Sequence, residues 1–129
     1  MKKYLAILFV FIVFTSCKKQ GTIYPGLMGK WELRHKMGSI IGFDSTYNAG
    51  NGRILQFNPD SSYRQYSNGK LLTQGRFHIR ITDFPKANSP AVFFDDSSFG
   101  EIMILNGTKL QLGMDFDDGI EVDYEKISN

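Results

Sequence analysis

The sequence has few of the residue types that usually carry covalent or catalytic chemistry. Among its 129 residues there is one cysteine, Cys17, so no internal disulfide can form. No G-x-S-x-G sequence, no phosphate-binding loop and no arrangement of Cys and His typical of a nucleophile is present. Acidic residues are plentiful, but nothing singles out a catalytic pair. We therefore expect no enzymatic activity and no cofactor.

The chain also lacks an excess of charge outside its first residues. It contains 15 Lys and Arg against 13 Asp and Glu, and Lys2 and Lys3 account for the whole difference. The remainder is balanced and has no basic patch dense enough to bind nucleic acid. A nucleic-acid partner is therefore not expected.

Long apolar runs are absent except at the N-terminus. Lys2 and Lys3 precede an almost wholly apolar segment, residues 4–14, which is the plan of a secretory signal. That segment is too short to span a bilayer as a helix, which needs about 20 residues. We predict that residues 1–16 are a signal peptide removed on export.

The sequence Phe14-Thr15-Ser16-Cys17 directly after this segment resembles the lipobox of bacterial lipoproteins. The resemblance implies that Cys17 receives lipid, palmitate included, and becomes the mature N-terminus in the bacterial cell envelope. Residues 17–26 would then be the lipidated N-terminus and tether, and residues 27–129 one domain. Because Lys18-Lys19-Gln20 lacks acidic residues, we expect a periplasm-facing membrane anchor.

No helical period is present after the tether, and apolar and polar residues instead alternate as in β-strands. Asn68-Gly69 and Asn106-Gly107 are strong hairpin signals, and Gly75 could mark a bulge. Residues 38–52 read as a long loop or a poorly formed strand. The predicted strands cover 29–37, 53–57, 62–66, 70–81, 91–94, 99–105, 109–114 and 120–127.

About eight short strands joined mostly by hairpins predict an all-β, antiparallel up-and-down meander. A barrel is favoured over a β-sandwich because closure removes both exposed edges. Leu27-Met28-Gly29-Lys30-Trp31-Glu32-Leu33 opening such a meander resembles the start of a bacterial lipocalin-like lipoprotein. The resemblance implies a glycine at a tight approach, a tryptophan across the closed end of the barrel, and binding of a small hydrophobic ligand without a reaction.

Alternation in the first strand places Trp31, Leu33, His35 and Met37 on one face, whereas His78 is expected to face solvent. A zinc site shared by the two histidines is therefore not expected. His35 either contacts a ligand or is satisfied by water near the barrel rim. The aromatic residues either line a barrel mouth or simply pack in the core. The candidate ligand-binding residues are Trp31, His35, Phe43, Tyr47 and Phe94.

Acidic turns at Asp95-Asp96 and at Asp115, Asp117 and Asp118 resemble fragments of calcium loops, but hairpin turns explain them better. No metal site is predicted. Two functions remain open, namely a ligand-binding barrel and a solidly packed barrel whose loops, with tips such as Ile40, Ile41 and Phe43, bind another envelope protein. A cavity of roughly 300 Å³ or more would favour the first.

Overall fold

The computed structural model describes residues 24–38, 42–83, 87–113 and 119–129, and these contain strands and turns but no helix. The predictions for the signal peptide, Cys17, Ile40, Ile41 and the acidic residues of 115–118 lie outside the described residues. The strands are β1 (Gly29–Gly38), β2 (Phe43–Thr46), β3 (Arg53–Phe57), β4 (Ser62–Ser67), β5 (Lys70–Thr82), β6 (Ser89–Phe94), β7 (Glu101–Asn106), β8 (Lys109–Gly113) and β9 (Ile120–Ser128).

The strands form one antiparallel sheet that closes on itself. From β3 to β9 each strand pairs with the next along the chain, and β9 pairs back with β1. The other edge of β1 is shared, because β3 pairs with Gly29 to Glu32 and β2 pairs with His35 to Gly38. The predicted up-and-down barrel is confirmed, with β2 as an additional strand, and the sandwich alternative is not observed.

Hairpin chemistry in the sequence accounts for much of this order. Asn68 and Gly69 have φ values of 50° and 78°, the two left-handed residues that a type I′ turn requires. The bulge suggested at Gly75 is wrong, since the register shift in this hairpin lies at Leu72, which has no partner on β4. Gly75 is instead covered by Asp95, and a Cβ there would lie 1.9 Å from a carboxylate oxygen of Asp95.

The end of the barrel where β1 begins, here called the lower end, is packed solid. Trp31 is fully buried, and its indole nitrogen donates a hydrogen bond of 2.7 Å to the carbonyl of Leu27. Gly29 has a φ of 122°, and a Cβ there would lie 2.3 Å from the carbonyl oxygen of Ser128. The tight glycine and the tryptophan at the closed end, as the lipocalin resemblance implies, are therefore both present.

A β-bulge in the middle of β1 changes which side chains face inward. Leu33 pairs with Tyr124 on β9, but the next paired residue is His35, opposite Asp123, so Arg34 is an extra residue. Beyond this point the alternation is shifted by one position. His35 therefore lies on the outer face and Lys36 faces the interior, and the prediction that His35 shares a face with Trp31 is wrong.

Candidate ligand cavity

The upper half of the barrel, toward the end of β1, contains a cavity that opens to solvent and has two adjoining lobes. The larger lobe has a volume of about 780 Å³ and the smaller about 410 Å³. Both lobes are lined by Lys36, Leu55, Gln65, Val122 and Tyr124. The barrel interior is thus filled at one end and hollow at the other.

Aromatic rings separate the packed half from the cavity. The Tyr63 and Phe94 rings meet edge to face with centroids 4.7 Å apart, and Phe94 stacks on Phe57 at 6.1 Å. Tyr63 and Phe94 line the larger lobe, whereas Phe57 is buried in the core below. These rings form the cavity floor, and Leu112 and Val122 continue it into an apolar wall.

The floor is fixed by a hydrogen bond from the neighbouring turn. The Tyr63 hydroxyl donates to a carboxylate oxygen of Asp95 at 2.8 Å, and the same carboxylate accepts the backbone N–H of Arg76 at 3.0 Å. Burial, and then the Asp95 carboxylate, raise the pKa of Tyr63 to about 12. Asp95 therefore acts as a support for the aromatic floor.

Lys36 is the cation that lines both lobes of the cavity. Its ammonium nitrogen lies 5.7 Å from the ring centroid of Phe43, a cation–π contact at the upper rim. Within the part of the chain that the structure describes, Lys36 makes no ion pair and no side-chain hydrogen bond. Its charge is therefore available to a bound molecule.

Glu101 is the acidic residue among those lining the larger lobe. It stands opposite Val92, a fully buried residue, which places its side chain on the inner face. Burial raises the pKa of Glu101, and burial together with the nearby Glu101 charge raises the pKa of Tyr124. No hydrogen bond or ion pair to Glu101 is found among the described residues, and Lys36 is not its partner.

The loop of residues 47–52 beside the cavity is held by a buried carboxylate. Glu32 is 4% exposed and accepts the backbone N–H groups of Gly50 at 3.1 Å and Gly52 at 3.3 Å, together with the guanidinium of Arg34. Burial alone would raise the pKa of Glu32, but these hydrogen bonds outweigh it and lower the pKa. Glu32 thus fixes the connection between β2 and β3 on the outside of β1.

The predicted ligand-binding residues are not brought to one place. Phe94 lines the cavity, whereas Trp31 packs below it in the core. Phe43 lies at the rim against Gly38 and Lys36. Tyr47 lies beneath the guanidinium of Arg53, 4.9 Å from its ring centroid.

His35 occupies a separate polar cluster on the outer face. Its ring nitrogens lie 2.6 Å from a carboxylate oxygen of Asp44 on β2 and 3.3 Å from one of Asp123 on β9. The Asp44 hydrogen bond, and secondarily the one to Asp123, raise the pKa of His35 despite partial burial. His35 therefore joins β2 to the barrel wall. The described residues contain no group of three His, Cys, Asp or Glu side chains placed to hold a metal ion.

Lys36 and Glu101 were not among the residues that the sequence singled out. The sequence did not indicate Lys36, because strict alternation from Trp31 places it on the outer face. The bulge at Arg34 turns it toward the interior. Glu101 did carry a signal, since it is in phase with Met103, a buried residue of the same strand.

Comparison of the chain with protein-family models, with curated proteins and with solved structures found no match. In the described part of the chain, no helix has the length and apolar character needed to cross a membrane.

Proposed function

We propose that the barrel binds one small, mainly apolar molecule in its upper half. The observation that carries this proposal is the larger lobe of about 780 Å³, which falls within the roughly 300–1,000 Å³ typical of small-molecule sites. Apolar and aromatic walls with a few polar groups are the usual composition of such sites. A solidly packed interaction module would fill this volume with its own side chains.

Filling the cavity tests the proposal. Val122→Trp puts a large ring into both lobes, and Ile104→Trp adds the same ring on the outer face, where Ile104 is 51% exposed. Binding of a panel of alkanes, fatty acids and sterol-like compounds to residues 18–129 is measured by native mass spectrometry and titration calorimetry. We expect Val122→Trp to abolish binding and Ile104→Trp to leave it unchanged.

Two results would count against ligand binding. If no compound binds the unaltered domain, the packed interaction module becomes the better reading and protein partners of the loops should be sought. If binding occurs but survives Val122→Trp and is lost in Ile104→Trp, the ligand lies on the outer face and the cavity is not its site.

We further propose that the domain is held at the bacterial envelope, facing the periplasm, by lipid on Cys17. The support is the signal-like segment of residues 4–14 followed by Phe14-Thr15-Ser16-Cys17. We expect the full chain to fractionate with membranes and to incorporate radiolabelled palmitate, and Cys17→Ser to lose both properties. Membrane association of Cys17→Ser without label would contradict the lipid anchor.

A further inference from the structure

The cavity holds two opposite charges that do not neutralise each other. Neither Lys36 nor Glu101 forms an ion pair within the described residues, although both line the larger lobe. A charge facing an apolar cavity without a partner costs free energy. A ligand that carries the opposite charge removes this cost and is bound in one preferred orientation.

The cationic side of the cavity is the better anchor. Lys36 lines both lobes, and Arg53 lines the smaller lobe together with the polar side chains of Gln65 and Ser67. Glu101 lines the larger lobe, to which the rings of the aromatic floor also belong, and does not line the smaller one. A bound molecule therefore meets positive charge and polar groups at one side, and apolar walls with one desolvated carboxyl at the other.

This distribution fits one chemical class. Resting on the function proposed above, we propose that the ligand is an amphiphile with a carboxylate head group, which pairs with the Lys36 ammonium. Its apolar chain runs past Leu55 and Val122 onto the rings of Tyr63 and Phe94. Glu101 disfavours the reverse orientation, because a second carboxylate beside it would place two like charges together.

A set of ligands that share one chain tests the head group. Dodecanoate, dodecanol and dodecylamine are titrated calorimetrically into residues 18–129, into Lys36→Met, and into the matched control Lys30→Met. Lys30 is an exposed residue of the same strand and lines neither lobe. We expect the unaltered domain and Lys30→Met to bind dodecanoate at least about tenfold more tightly than dodecanol, and Lys36→Met to lose this ratio while still binding dodecanol.

Other results separate this inference from the proposed function. Equal affinities for the three ligands would overturn the carboxylate assignment and leave the cavity as a purely apolar site. A dodecanoate preference that survives Lys36→Met would overturn Lys36 as the group that pairs with the carboxylate. Tightest binding of dodecylamine, lost in Glu101→Gln, would overturn it in favour of a cationic ligand. No binding of any of the three, together with failure of the wider panel, would instead overturn ligand binding itself.

Discussion

The two halves of the barrel are built from the same strands but differ in what fills them. On β8, Leu110 and Leu112 are each 1% exposed and point to the same interior. Both belong to the core cluster that contains Trp31, but Leu112 also lines the larger lobe of the cavity. A buried leucine can therefore lie in the core and still border the cavity. We infer that the lower half supplies most of the stability and that the upper half keeps room for a ligand.

The largest effect should follow from removing the residue that fills the lower half. Trp31→Ala should lower the free energy of unfolding by about 3–5 kcal/mol, because it leaves a large cavity and deprives the Leu27 carbonyl of its hydrogen bond. Trp31→Phe, which keeps most of the volume, should cost less. Urea unfolding followed by circular dichroism measures both. A Trp31→Ala protein as stable as the unaltered one would contradict close packing at this end.

The two leucines of β8 should differ in how much they stabilise the fold. Leu110→Ala should lower the free energy of unfolding by about 2–5 kcal/mol. The decrease for Leu112→Ala should be about 2 kcal/mol or less. The reason is that Leu112 lies at the edge of the larger lobe, so its truncation enlarges an existing space instead of creating a sealed cavity. Chemical unfolding of the two variants side by side measures the difference. Equal losses would show that the upper half is packed as closely as the lower.

A smaller loss of stability is expected outside the barrel, at the loop of residues 47–52. Glu32→Gln should cost about 1.5–3 kcal/mol at neutral pH, because the carboxylate accepts charge-assisted hydrogen bonds from Gly50, Gly52 and Arg34. The folded protein lowers the pKa of Glu32, so this stabilisation is present above the unfolded value of 4.5 and disappears as the pH falls through the folded pKa.

The stability difference between the unaltered domain and Glu32→Gln should therefore shrink below pH 4.5. Unfolding curves from pH 7 to pH 3 measure this. A difference that stays constant over the range would mean that the Glu32 carboxylate is not stabilised by these hydrogen bonds.

The smallest effect concerns the attachment of β2. The folded protein raises the pKa of His35 above 6.5, so its stabilising charge is present below that pH and is lost as the pH rises through the folded pKa. NMR titration of His35 should show the raised pKa, and Asp44→Asn should lower it. A His35 pKa at or below 6.5 in the unaltered protein would contradict the proposed attachment of β2 through His35 and Asp44.

Alternation and turn residues were enough to predict the barrel, because most strands have one apolar face and two hairpins carry a strong Asn-Gly turn signal. They failed where one residue changes the register. Nothing local distinguishes Arg34 as a bulge, and its presence becomes visible only in the pairing of β1 with β9. Because Arg34 is an extra residue, His35 faces outward and Lys36 faces inward. The polar residue of β1 that lines the cavity is therefore Lys36 and not His35, which the sequence had suggested.

The cavity itself could not be predicted from the sequence. Leu110 and Leu112 have the same residue type, alternation and burial, and only their positions along the barrel place Leu112 at the edge of the larger lobe. Of the residues that the sequence proposed for ligand binding, Phe94 lines the cavity, whereas Trp31 packs in the core.

In the function proposed here, a ligand occupies the upper half of the barrel and not the lower. Isotope-filtered NMR on the methyl-labelled domain with unlabelled dodecanoate measures this directly through nuclear Overhauser contacts. We expect contacts from the ligand methylenes to the methyl groups of Leu55, Leu112 and Val122, and none to Leu110. Contacts confined to the exposed methyl groups of Ile104, with none inside the barrel, would contradict the account.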